Sequence, residues 1–218
     1  MELTREQITV IDKHLKNNGI KYWDLRIEMI DHIVSNMELN AQTNDFEKEF
    51  KDSLKKTGWQ GNLSQVNSEG WQNVNKRYRN EYHRGFVLFF KKLNNVFVFV
   101  TCLLAFYILS EMISFTNFKR VSFFLFAAPL AVVIFQYVKA QYKKMGRSVN
   151  LDYGFSYLIM SFLILNSFPT IFKNQTEIFQ KMMWFIILPI HSLAFYSGYI
   201  LYKKTILKLE NIRKQLRS

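Results

Sequence analysis

Only one cysteine, Cys102, occurs in the 218 residues of this chain. A lone cysteine excludes an intrachain disulfide and any metal site built from several thiolates. Cys102 lies within an apolar run, so we predict a small side chain buried in a packed interior.

Common enzyme motifs are also missing. The chain has no glycine-rich phosphate-binding loop, no His-Glu-x-x-His zinc motif, no Gly-x-Ser-x-Gly elbow and no aspartate pair in an apolar run. We therefore predict a protein that is not an enzyme and binds neither a cofactor nor a metal ion.

The first ten residues lack the basic start and apolar core of a signal peptide. No lipidation motif is present either, since residue 2 is glutamate and the chain ends in KQLRS. We expect the N-terminus to stay on the cytoplasmic side.

Acidic residues are scarce in most of the chain. Residues 1–60 hold 11 Asp and Glu against 9 Lys and Arg, whereas residues 61–218 hold 6 against 20. The net charge of +12 therefore belongs to the second part. Because these basic residues flank apolar segments, they favour contact with anionic lipid headgroups over direct contact with nucleic acid.

Four apolar runs fill that second part, at 93–115, 121–142, 152–172 and 179–202. Each has at least the roughly 20 residues that a helix needs to cross a bilayer. Short connections between them make sequential helices antiparallel neighbours. We predict an all-α fold with a bundle of four transmembrane helices; the alternative is a large soluble helical protein.

An amphipathic helix is predicted just before the first run, at residues 71–92, which we name the basic collar. Its apolar stripe consists of Trp71, Val74, Tyr78, Tyr82, Phe86 and Phe89. Its headgroup contacts are predicted to be Lys76, Arg77, Arg84, Lys91 and Lys92. This pattern is typical of a helix at a membrane surface; the alternative is a solvated helix packed on its own soluble domain.

The distribution of basic residues predicts the orientation. Of the 20 basic residues in 61–218, 16 lie in the collar, around the connection 143–151 and in the tail 203–218. The other connections and span ends carry four: Lys119, Arg120, Lys173 and Lys181. Positive charge concentrates on the cytoplasmic side. We predict a multi-pass protein of the bacterial inner membrane with both termini cytoplasmic.

Residues 1–60 predict a small three-helix cytoplasmic domain. Thr4 and Gln7 form a capping box at the first helix. A second helix fits residues 22–41, and Asn44 caps a third. The polar stretch 61–70 is predicted to be a linker.

Two groups of residues could carry a function. Glu28, Asp31 and His32 share one face of the second helix; no second cluster completes a metal site, so we predict a solvated face that docks a partner. His191 lies near the middle of the fourth run, where an ionisable group indicates function. Asn166 and Gln136 are its possible intramembrane neighbours; alternatively, a neutral His191 bonds a carbonyl freed by Pro189.

The N-terminal segment resembles HAAS-type and permease-prefix helical domains, found on uncharacterised multi-spanning membrane proteins of Bacteroidetes-type bacteria. The residues that carry the resemblance are Gly19, Ile20, Tyr22, Leu25, Glu28, Asp31, His32, Ile33, Met37 and Glu38. The resemblance covers about 55 residues and assigns no catalytic residue. It implies a signalling or docking domain on a membrane anchor, with a PadR-like regulator as a possible partner.

These features predict a non-enzymatic inner-membrane protein that serves signalling, regulation or scaffolding through a cytoplasmic docking domain. The alternative is a small transporter, a pore or an accessory subunit of a membrane complex. His191 and Asn166 would then line a pathway, and four spans would need a homo-oligomer to enclose it.

Overall fold

The computed structural model describes residues 2–61 and 63–216, and within them the secondary structure is entirely helical. The last two residues of the predicted tail, 217 and 218, lie outside the described residues. The chain divides into two compact units. The first comprises residues 1–76 and 145–152, and the second comprises residues 77–144 and 153–218.

The first unit contains helices α1 (Arg5–Asn17), α2 (Trp23–Asn40) and α3 (Phe46–Lys56) and the start of α4 (Ser64–Phe90). The capping box predicted at Thr4 and Gln7 is present. The cap of α3 is Asp45 rather than the predicted Asn44, because its carboxylate accepts hydrogen bonds from the Glu47 and Lys48 amides.

The core of the first unit comes from all three short helices and the segment after α3. Its buried apolar residues are Ile11, Leu15, Ile20, Met29, Ile33, Met37, Phe50, Leu54 and Leu63. Burial of apolar side chains is the main favourable term in folding. These contacts therefore hold α1 and α3 against α2.

The segment predicted as a linker, 61–70, is largely helical, since α4 begins at Ser64. Gly70 does not interrupt α4, because one glycine lowers helix stability by only about 1 kcal/mol. Gly70 instead allows a close approach: an added Cβ would lie 3.0 Å from a methyl carbon of Leu25.

The second unit contains the end of α4 together with α5 (Leu93–Met112), α6 (Phe115–Ala127), α7 (Pro129–Tyr142), most of α8 (Val149–Leu165), α9 (Phe168–Ile171) and α10 (Glu177–Gln215). Four helical stretches of the described chain are long and apolar enough to cross a membrane: Leu93–Met112, Phe115–Tyr142, Val149–Ile171 and Glu177–Gln215. The predicted all-α fold with four long apolar helices is confirmed at this level.

The ends of these helices differ from the prediction. Residues 116–120, predicted as a loop, belong to α6, and the break in that span comes at Ala128, just before Pro129. The start of α8 lies at Val149, within the predicted connection 143–151. No break separates the fourth span from the tail, because α10 continues to Gln215. Within the tail, Leu209 is fully buried.

Aromatic side chains fill the interior of the second unit. Phe106, Phe118 and Phe185 meet with ring centroids 4.9–6.1 Å apart. Offset and edge-on aromatic pairs at these distances stabilise beyond the area they bury. Cys102 is exposed on α5, so its predicted burial is wrong. Cys102 lies in a candidate membrane span, and the outer surface of a span is as apolar as its interior, so apolar neighbours in sequence do not indicate burial.

Candidate functional site

The three predicted docking residues lie on the outer surface of α2. Glu28, Asp31 and His32 are all exposed, while Met29 and Ile33 on the other face are buried. The His32 ring contacts Trp59 edge-on, with centroids 6.2 Å apart. Three- and four-residue steps place Glu28, Asp31 and His32 on one surface of the helix.

These three side chains are also candidate metal ligands. In the part of the chain that the structure describes, no group of three or more His, Cys, Asp or Glu residues could hold a metal ion. The exposed face of α2 is therefore a polar surface with two carboxylates and one imidazole.

The same side of α2 carries a buried carboxylate at its N-terminal end, Asp24, which is only 8% exposed. One oxygen, Oδ2, accepts hydrogen bonds from Ser148 Oγ at 2.7 Å and from the amide and side-chain nitrogens of Asn150 at 3.0 and 2.7 Å. The other, Oδ1, accepts from the Val149 amide at 3.1 Å. Residues 148–150 supply four donors to this one side chain.

These hydrogen bonds complete the start of α8. The first amide groups of any helix have no partner within it. Asp24 binds the amides of Val149 and Asn150, and Ser148 Oγ accepts from the Leu151 amide at 3.1 Å. A carboxylate near a helix N-terminus is further stabilised by the helix dipole. Asp24 thus acts as a second cap, supplied from a distant part of the sequence.

Trp23 strengthens the same contact. Its indole Nε1 donates to the Met145 carbonyl at 2.9 Å, and its backbone amide donates to the Arg147 carbonyl at 3.1 Å. Between them, Gly146 has φ +72°, and an added Cβ there would lie 3.5 Å from the Trp23 ring. Residues 145–150 are therefore fitted to the first turn of α2; we name Trp23, Asp24 and residues 145–150 the Asp24 junction.

Sequence reasoning missed the Asp24 junction. Asp24 in a first helical turn is explained by its own helix dipole and gives no sign of a distant partner. Ser148 offered a usable signal, because serine is a preferred N-cap and an apolar run follows it. That signal would have moved the start of α8 to Val149, but it would not have identified Asp24.

His191 is 1% exposed, and its predicted polar neighbours are absent. The imidazole packs against Phe126 and Phe162, with ring centroids 4.4 and 4.5 Å away. Among the described residues, neither ring nitrogen has a hydrogen-bond partner of normal geometry, although the Phe126 backbone lies near. The bond to a carbonyl freed by Pro189 is therefore also absent.

Asn166 and Gln136 lie in other surroundings. Asn166 is exposed just after the end of α8, where its side-chain oxygen accepts from Ser167 at 3.0 Å. Gln136 is half-buried, and its backbone carbonyl accepts from the Tyr202 hydroxyl at 3.3 Å. Since neither bonds to His191, the structure does not bring the three intramembrane polar residues together.

The predicted collar residues fall into two groups, one exposed and one buried or half-buried. All five headgroup residues are exposed: Lys76, Arg77, Arg84, Lys91 and Lys92. The apolar stripe is buried or half-buried, and the Tyr82 ring contacts the tilted ring of Tyr157 with centroids 5.2 Å apart. Burial, with a smaller contribution from Tyr157, raises the pKa of Tyr82 to about 12, so its phenol stays neutral.

Comparison with known protein families, with curated proteins and with solved structures found no match to this chain.

Proposed function

We propose that the protein is a non-enzymatic multi-pass protein of the bacterial inner membrane that docks a cytoplasmic protein through α2. The docking surface is the exposed face that carries Glu28, Asp31 and His32. Helices α1–α3 form the cytoplasmic domain in this proposal, and α4 is the basic collar at the membrane surface. The role is signalling, regulation or scaffolding.

The observation that carries the proposal is the Asp24 junction. Asp24 lies one helical turn before Glu28, so the two carboxylates share a side of α2. At Asp24 that side already binds a polypeptide segment, residues 148–150, through backbone amides and short polar side chains. The exposed part of this face offers a partner the same chemistry, because the carboxylates of Glu28 and Asp31 can accept hydrogen bonds in the same way.

The junction also supports a route from docking to the membrane. Asp24 and Trp23 are bonded to residues 145–150, and α8 starts at Val149. The helix that begins there is a candidate membrane span. A partner that shifts α2 would change the hydrogen bonds by which Asp24 caps α8. A movement of α8 would in turn change the position of α2. Coupling of this kind is reciprocal.

A co-purification experiment tests the docking face. The resemblance of the N-terminal segment suggests a PadR-like regulator, so a regulator of that class is the partner to use. We expect Glu28→Lys and Asp31→Lys each to weaken binding of the full-length protein about tenfold or more, because reversed charges at an interface cost several kcal/mol. Glu69→Lys is the matched control, since Glu69 is exposed on α4.

Undiminished binding by both charge-reversal variants would exclude this face. Equal loss in the Glu69→Lys variant would show a general charge effect instead. A transporter or pore is not proposed as a second function, because His191, Asn166 and Gln136 do not converge.

A further inference from the structure

Two adjoining cavities of the second unit are lined by residues of α4, α5 and α10. The first, of about 540 Å³, has three cationic side chains in its lining, Arg84, Lys92 and Lys204, and one acidic side chain, Glu81. Its walls include Gly85 and Ser197, where α4 and α10 approach so closely that an added methyl group on Gly85 would overlap Ser197 Oγ.

The second cavity is an apolar groove of about 480 Å³. Its lining includes Phe99, Cys102 and Leu103 of α5 and Leu188 of α10. Phe89 and Tyr196 line both cavities, so the basic cavity and the groove adjoin at these two side chains. Tyr196 and Phe89 also contact one another, with ring centroids 5.0 Å apart.

The length of the groove matches one leaflet of a bilayer. On α5 it runs from Asn95 to Phe106. At 1.5 Å per residue this is about 16 Å, and half of a typical hydrocarbon core is about 15 Å. The groove therefore has the extent of one acyl chain, and the three cations stand at the end where a headgroup would lie.

The cations are available for an anionic ligand. Within residues 2–61 and 63–216, no ion pair involves Arg84, Lys92 or Lys204. Arg and Lys are the side chains that bind phosphate groups, and an Arg can do so through two parallel hydrogen bonds. The single carboxylate of Glu81 leaves the lining with an excess of positive charge.

We propose that this composite site binds one anionic phospholipid of the cytoplasmic leaflet. Arg84, Lys92 and Lys204 hold its phosphate, and the groove past Phe89 and Tyr196 holds an acyl chain. The inference rests on the chain spanning a membrane, as in the proposed function, but not on the docking of a partner. Binding of one lipid at this site differs from the general attraction of lipids to a basic surface. The neighbouring Lys91 and Lys203 do not line the cavity and should not contribute to it.

Native mass spectrometry of the full-length protein in detergent tests the headgroup end. We expect one phosphatidylglycerol per chain to be retained in preference to phosphatidylcholine. Lys92→Gln and Lys204→Gln should each lower retention about fivefold. Lys91→Gln and Lys203→Gln are matched controls with the same change of charge one residue away, and they should retain the lipid as the native protein does.

The groove end is tested with variants of α5. Leu103→Trp should exclude the acyl chain and abolish retention, whereas Leu104→Trp should not, because Leu104 lies outside the lining and is 59% exposed. Cys102 provides a readout that needs no substitution. Phosphatidylglycerol should slow its alkylation by N-ethylmaleimide, while inorganic phosphate, which occupies only the basic end, should not.

Equal effects of the Lys91 and Lys92 substitutions, or of the Lys203 and Lys204 substitutions, would overturn the proposal in favour of non-specific attraction. Unchanged alkylation of Cys102 in phosphatidylglycerol would overturn the acyl-chain assignment even if the Leu103→Trp variant failed to fold. Loss of partner binding in the Glu28→Lys variant, with lipid retention intact, would separate this site from the docking face. A protein released from membranes by alkaline carbonate would instead refute the membrane spans on which both proposals depend.

Discussion

Asp24 is the residue whose role changes most between sequence and structure. In sequence it is one of 11 acidic residues in a mixed-charge segment. In the structure it accepts hydrogen bonds from residues more than 120 positions away and satisfies two amides at the start of α8. A buried acceptor with several charge-assisted donors is hard to replace, because each donor left without a partner costs about 1–3 kcal/mol.

Asp24→Asn should loosen the start of α8. The amide retains one acceptor oxygen but places an NH₂ group against the donors of residues 148–150. We expect the Val149 and Asn150 amides to exchange hydrogen about 10- to 100-fold faster, which corresponds to roughly 1.4–2.8 kcal/mol. Hydrogen exchange followed by mass spectrometry on the full chain measures this. Asp31→Asn makes the same change at an exposed carboxylate of α2 and should leave hydrogen exchange at residues 148–151 unchanged. Equal exchange in both variants would contradict the capping role of Asp24.

At the scale of elements, the second unit depends on close contact between α8 and α10. Gly198 of α10 faces the backbone of α8: an added Cβ would overlap the Tyr157 carbonyl oxygen and lie 3.0 Å from Leu158 Cα. Backbone atoms cannot move aside without shifting the helix. At Gly154 the nearest atom to an added Cβ is a methyl carbon of Thr205, 3.2 Å away. An added methyl group would therefore meet backbone atoms at Gly198 but side-chain atoms at Gly154.

Gly198→Ala should destabilise the protein by about 1–3 kcal/mol, the usual effect of overpacking a filled interior. Gly154→Ala should have a smaller effect, because a side chain can adjust by a few tenths of an ångström. Thermal unfolding of the full-length protein in detergent compares the two variants. A lower midpoint for Gly154→Ala than for Gly198→Ala would show that the α8–α10 contact is looser than the structure indicates.

At the scale of the whole molecule, the proposed topology of four spans would place both ends of the chain on one side of the membrane. Within the part of the chain that the structure describes, four stretches meet the length and composition required of a span. The basic residues lie unevenly along the chain. Of the 20 in residues 61–218, 16 lie in the collar, around the connection 143–151 and in the tail, which share one side in this topology, and four lie on the other side. Positive charge near span ends orients such proteins with that side in the cytoplasm.

Single-cysteine variants in a Cys102→Ser background test this topology in intact cells. Asn174→Cys, in the connection before α10, should react with a membrane-impermeant maleimide applied from outside. Lys214→Cys, near the end of α10, should react only after the cells are opened. The reverse pattern would invert the orientation, and reaction at both positions in intact cells would refute the four-span topology.

Local properties of the sequence determined the helices and the four long apolar stretches. The predicted second helix, 22–41, differs from α2 by one residue at each end, because tyrosine and alanine there have extended backbones that frame it. The capping box at Thr4 and the exposure of the five collar residues follow from neighbours three and four positions apart. Such contacts repeat with the helical period and can be read without knowing the fold.

Tertiary structure decided the rest. The outward position of Cys102, the phenyl rings around His191, the burial of Asp24 and the meeting of the two cavities all depend on which distant residues come together. An apolar residue in a span can face lipid or protein with equal ease, so composition does not choose its side. A carboxylate on a helix surface shows no sign of a partner that the chain supplies more than 120 residues later. The sequence determines which helices form, whereas their packing determines which side chains can act together.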